Sequence, residues 1–123
     1  MNKAQNKKFK VWWDEKDHIL CSETAGDFSE QDAREAVDEI MRGANEQNGK
    51  IPVMNDVRAA GRADAKALKV LTDLAKSEKF TKKAFVVRPG ISSALAPFII
   101  KMAGVDNAGF FKNKDEAVKW LKE

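Results

Sequence analysis

The residues best placed for chemistry are Asp56, Arg58, Gly61 and Arg62, in the run Asn55-Asp56-Val57-Arg58-Ala59-Ala60-Gly61-Arg62-Ala63-Asp64. Two guanidiniums beside a glycine, after an apolar strand and ahead of a helix start, suit an anion or nucleotide site. Open α/β sheets take ligands in the loops at the carboxyl ends of their strands, and a helix start favours negative charge. The competing reading is an ion pair between Asp56 and Arg58 or a capped turn, because two arginines in one loop specify little. An enzyme needs an acid, base or nucleophile with an organised partner, and only Asp56 stands where one would be sought. His18, the single histidine, has no second ligand near it and reads as a surface residue. Cys21 reads as a small apolar filler in a strand, without the basic neighbourhood a reactive thiol requires. No dinucleotide or phosphate-loop glycine motif, zinc-protease histidine pair or nucleophile elbow occurs, so no catalytic residue, metal site or cofactor is expected.

A second candidate is apolar. Ile91 to Val105 carries one charge, although 33% of the chain is charged. On a helix, Ser93, Pro97, Lys101 and Gly104 form one narrow stripe, and Ile91, Leu95, Phe98, Ile99 and Met102 belong to the wide apolar remainder. Such a surface requires cover. Core burial, a lid over an apolar ligand and a surface for a partner chain or a second copy are the three readings.

The elements that would position these residues follow from periodicity. Phe9, Val11 and Trp13 share one face of a first strand; Lys8, Lys10 and Trp12 share the other, so Trp12 either stands partly exposed or covers a helix. Asp14 to Asp17 turn the chain into a second strand from His18 to Thr24, making a hairpin. Phe28, Ser29 and Asp32 staple and cap a helix with Ala33, Ala36, Val37, Ile40, Met41 and Ala44 at helical spacing, ending near Asn48-Gly49. Ile51 to Val57 is a short buried strand, Asp64 or a nearby residue opens a helix with Leu68, Leu71, Leu74 and Ala75 as its core face, and Lys83 to Val87 is a strand covered on both sides. A helix is predicted from about Ala96 to Ala103. Ala108 to Lys112 forms the last strand, and Asn113 with Glu116 caps a final helix that packs Ala117, Trp120 and Leu121 inward.

The 123 residues suit one domain with a real core, residues 1–7 forming a flexible basic lead. One cysteine excludes an intrachain disulfide and thiolate metal clusters. Without a secretory signal or a bilayer-length apolar run, the chain reads as cytoplasmic, with peripheral membrane contact and a homodimer left open. The net charge of +3 is unevenly spread: residues 1–13 carry +4, residues 14–48 carry −8 and residues 49–123 carry +7. The later bases are scattered among acids, and nucleic acid is not an expected partner.

Strands alternating with helices after a leading hairpin define an α/β fold with a five-stranded mixed sheet and four helices. The hairpin start, Asn55-Asp56-Val57-Arg58 after the third strand, and Phe111 followed by Asp115-Glu116-Ala117-Val118-Lys119-Trp120-Leu121 resemble the SpoIIAA-like family of the STAS superfamily. The resemblance spans nearly the whole chain and implies a non-catalytic module that binds a protein partner. Anti-anti-sigma members of that superfamily are switched by phosphorylation of a Ser or Thr at the helix start after the third strand. No Ser or Thr occurs between Val53 and Lys69 here, so that switch is expected to be absent. Some SpoIIAA-like proteins resemble lipid carriers of the CRAL-TRIO type, which makes an apolar small molecule the alternative ligand.

Overall fold

The structure is a computed structural model that describes residues 8–88 and 107–123. The predicted helix between Ala96 and Ala103, with Ile91, Leu95, Phe98, Ile99 and Met102, lies outside the described residues, as does the basic lead at 1–7. Five strands and three helices are described, against the four helices expected: β1 (Phe9–Asp14), β2 (Ile19–Phe28), α1 (Glu30–Asn45), β3 (Ile51–Ala63), α2 (Ala65–Ala75), β4 (Phe80–Val86), β5 (Ala108–Phe111) and α3 (Lys114–Leu121).

The strands lie side by side in chain order, β1-β2-β3-β4-β5. β1 runs antiparallel to β2 and every later pair is parallel, so the sheet is mixed. Alternation sends Phe9, Val11, Leu20, Ile51 and Val53 toward α1 and α2. Ile19, Cys21, Met54, Ala84 and Val86 go to the other face, where Ala117 and Leu121 of α3 cover them. Ala84 has to be small, because it sits fully buried beneath α3.

Each helix starts where the sequence places a cap. The Ser29 hydroxyl accepts the Asp32 N–H at 3.1 Å while the Asp32 carboxylate accepts the Ser29 N–H at 3.0 Å. Asp64 accepts the Ala67 N–H at 2.8 Å, and Asn113 accepts the Glu116 N–H at 2.9 Å. Asp64→Ala removes the only cap side chain of α2 and is expected to cost about 1 kcal/mol in chemical denaturation; Asp64→Asn, which keeps an acceptor, recovers most of that loss.

The main departure from the sequence reading concerns β3. It continues six residues beyond Val57, so Asp56, Arg58, Gly61 and Arg62 belong to a strand and not to a loop. β2 lengthens with it, from the expected Thr24 to Phe28, and His18 falls in the preceding turn with φ of 57°. The extension pairs Ala25 with Ala59, Gly26 with Ala60 and Phe28 with Ala63, across two shifts of register. Asp27 fastens it by accepting the Arg62 N–H at 2.8 Å. Gly61 leaves room for that contact, because a Cβ at its position would overlap Asp27 Oδ1 and displace the carboxylate.

α2 also differs in detail. Ala67, Thr72 and Ala75 are its buried residues, while Leu68, Leu71 and Leu74 are half-buried. Those leucines face a narrow cavity of about 60 Å³ between the sheet and the α1/α2 layer, shared with Phe28, Phe80 and Phe85.

Candidate functional site

α3 reaches only part of its face of the sheet. Among the described residues it packs chiefly on β3, β4 and β5, and no other helix lies over the β1 side of that face. The sheet register then sets charged residues in a row: Lys10 lies opposite Glu23, and Glu23 opposite Asp56. One step along, Trp12 lies opposite Cys21. Trp12 is 38% exposed and is the one large apolar side chain exposed among the described residues.

Two ion pairs fix the charges. Arg58 binds Asp56 in a fork, Nε to Oδ1 at 3.0 Å and Nη2 to Oδ2 at 2.7 Å, and its own backbone N–H also donates to Oδ1 at 3.0 Å. Lys114, the first residue of α3, donates to Glu23 Oε2 at 2.7 Å and lies 4.0 Å from Asp56 Oδ2. Its ammonium also stands 5.7 Å from the centre of the Trp12 ring, within cation–π range. Lys8, Lys10, Glu23, Asp56 and Arg58 border a shallow groove of about 370 Å³ on this face.

The electrostatics favour binding over proton transfer. Burial pushes the Asp56 carboxyl up, but the side-chain and backbone hydrogen bonds of Arg58, its charge and that of Lys114 outweigh burial and hold Asp56 below the usual carboxylate range. The bond to Asp56 likewise raises Arg58 above its ordinary value. Beneath Trp12, burial followed by the charge of Asp14 pushes the Cys21 thiol up to about 11, so it stays protonated at neutral pH. Asp56 is therefore an ionised carboxylate and Cys21 a neutral filler.

The four residues of the β3 run do not converge. Asp56 and Arg58 join the charged face, whereas Gly61 and Arg62 border the apolar cavity. Arg58 is committed to Asp56, and the groove beside it carries both signs of charge. Glu23 and Lys114 were missed in the sequence because 91 residues separate them and neither belongs to a motif. The sequence signals for this face were Asp56 and Arg58 on the third strand and Trp12 sharing a strand side with Lys8 and Lys10. Lys83 was also missed; it is 5% exposed and borders the cavity. Among the described residues no group of acids, histidine and cysteine is arranged to hold a metal ion, and no helix is long and apolar enough to cross a membrane.

A leading hairpin, a mixed five-stranded sheet in chain order and a helix on each face make this a SpoIIAA-like fold. An uncharacterized protein of the DUF3478 family with a SpoIIAA-like fold, from Shewanella loihica PV-4, superposes with a TM-score of 0.67 at 14% identity, over 92% of this chain and 91% of that one. An anti-sigma factor antagonist from Mycobacterium paratuberculosis gives 0.60 at 14% identity, over 94% and 95%. By sequence, residues 12–123 match the domain of unknown function DUF7793, and the chain belongs to that family. No curated protein matches it.

Proposed function

We propose that this chain is a single-domain, non-catalytic binding module of the cytoplasm that acts through a protein partner docked on the uncovered face around Trp12. The observation that carries the reading is Trp12, exposed on a sheet face where Asp56 with Arg58 and Glu23 with Lys114 are already held in ion pairs. Tryptophan and arginine are enriched at the energetic centres of protein interfaces, and charges held in place lose little freedom on docking. The anti-sigma factor antagonist among the structural relatives is named for an effect on another protein, which is the same class of role. The phosphorylation switch has no acceptor at its usual position: Asp64 caps α2 and no hydroxyl residue lies between Val53 and Lys69.

The test is affinity capture with the wild-type protein and with Trp12→Ala and Lys114→Glu, both checked for fold by circular dichroism. A protein retained in stoichiometric amount by the wild type and lost with both variants supports the reading. Retention unaffected by either variant refutes this face as the site.

The cavity under α2 favours a second reading, an apolar small molecule. At about 60 Å³ it is far below the roughly 300 Å³ at which drug-sized pockets begin. An acyl chain would need α2 to move outward, whereas a molecule of a few carbons would fit the existing space. Native mass spectrometry distinguishes the two: a lipid at high occupancy supports the carrier reading, and an empty protein leaves the partner reading in place.

A further inference from the structure

Among the described residues β1 is an edge strand of the sheet. The Ala25 N–H donates to the Lys8 carbonyl at 2.7 Å and the His18 N–H to the Asp14 carbonyl at 2.8 Å. Because bonding residues alternate along an antiparallel ladder, Lys8, Lys10, Trp12 and Asp14 bond toward β2, and Phe9, Val11 and Trp13 aim their backbone groups away from it. Among the described residues no strand pairs with that outer side. An open edge of this kind is a template for another strand.

The side chains narrow the choice of strand. On this face β1 reads Lys10, Trp12, Asp14, basic at one end and acidic at the other, while Lys8 just before the strand turns its ammonium to Asp32 of α1 at 2.9 Å. An antiparallel copy reverses that order. With Trp12 on the two-fold axis, Lys10 of each protomer lies opposite Asp14 of the other, and Val11 exchanges hydrogen bonds with Trp13. The two Trp12 side chains then face each other in a non-bonded pair, where side chains stand closest. This arrangement sets the exposed apolar residues of the two protomers side by side on the same face and matches opposite charges twice. A parallel copy in register would instead set Lys10 against Lys10 and Asp14 against Asp14.

We infer that the partner of the β1 edge is a second copy of this chain, joined antiparallel through β1 about a two-fold axis at Trp12 to make a continuous ten-stranded sheet. The inference goes beyond the proposed function: a strictly monomeric protein would refute it and leave a heterologous partner for the uncovered face untouched. A contact this small is expected to be weak and concentration-dependent.

Sedimentation velocity across a dilution series tests it. The wild type is expected to show a reversible monomer–dimer equilibrium. Lys10→Glu places a glutamate opposite Asp14 and should weaken the dimer about tenfold or more. Adding Asp14→Asn to Lys10→Glu removes that repulsion, keeps the Oδ1 acceptor of the turn, and should restore part of the affinity. Register is read separately with Trp12→Cys in a Cys21→Ala background, which removes the native thiol opposite position 12; its introduced thiols should join as a disulfide-linked dimer under mild oxidation, whereas thiols from Lys10→Cys in the same background should not. A wild-type monomer at every concentration, or a dimer indifferent to Lys10→Glu, overturns the inference. Failure of the Trp12→Cys protein to cross-link overturns the register.

Discussion

Leu20→Ala is expected to lower stability by about 3 kcal/mol in urea denaturation at neutral pH. Leu20 is 1% exposed and packs with Ile40, Ala44, Ile51, Val53 and Phe80 where α1 crosses the sheet. Truncation removes the transfer energy of its methyl groups and leaves a void that a helix lying on a sheet cannot easily close. The neighbouring helix supplies a sharper test. α1 carries Gly43 in its last turn, and a Cβ there would lie 3.0 Å from Leu20 Cδ1. Glycine inside a helix costs roughly 0.5 to 1 kcal/mol against alanine, so Gly43→Ala would be favourable but for that contact. In the wild type the two effects oppose each other and the net change should be small or unfavourable. In the Leu20→Ala background the contact is gone, and Gly43→Ala should recover about 1 kcal/mol. Equal effects of Gly43→Ala in both backgrounds would show that Leu20 does not set the helix-to-sheet distance.

Arg58→Ala should destabilise the protein by about 1.5 kcal/mol at pH 7, a figure held down by the partial exposure of the guanidinium. It should also change how stability depends on pH. In the wild type the folded-state pKa of Asp56 lies below its unfolded value. The pair therefore contributes fully above the unfolded pKa of about 3.9 and loses that contribution as pH falls through the folded pKa. Without Arg58, burial, already the largest single influence on Asp56, is opposed by Lys114 at 4.0 Å without the Arg58 hydrogen bonds. The Asp56 pKa should rise, and protonation on acidification should relieve the buried charge instead of breaking a pair. The stability gap between wild type and variant is thus largest at neutral pH and narrows toward pH 3. A gap constant from pH 7 to pH 3 would mean that Asp56 is not the group Arg58 compensates.

Much of this fold was legible in the residues. The caps at Ser29, Asp64 and Asn113 were readable because a short polar side chain three residues before a backbone donor has few other uses. The alternation of β1 and the helical spacing of α1 survive packing nearly unchanged. The end of β3 was not legible. Ala-Ala-Gly-Arg-Ala has little intrinsic preference for a strand, and it is held extended by pairing with β2 and by Asp27, 35 residues away in sequence. The site shows the same division. Asp56 and Arg58, two apart on one strand face, could be read as a pair, whereas Glu23 and Lys114 meet only because α3 begins beside the second strand.

The order of the strands has a consequence for how the chain is made. Each strand of the sheet pairs with the one synthesised before it, so the sheet can grow outward from the β1–β2 hairpin as the ribosome delivers the chain. No strand has to wait for a later one to fill a gap beside it. The contacts that must wait join opposite ends of the chain: Lys114 with Glu23, and Lys122 with Asp17 at 2.9 Å, 105 residues apart. One comes from the first residue of α3 and the other from its C-cap, so the charged face of the sheet is completed only after all five strands have been made.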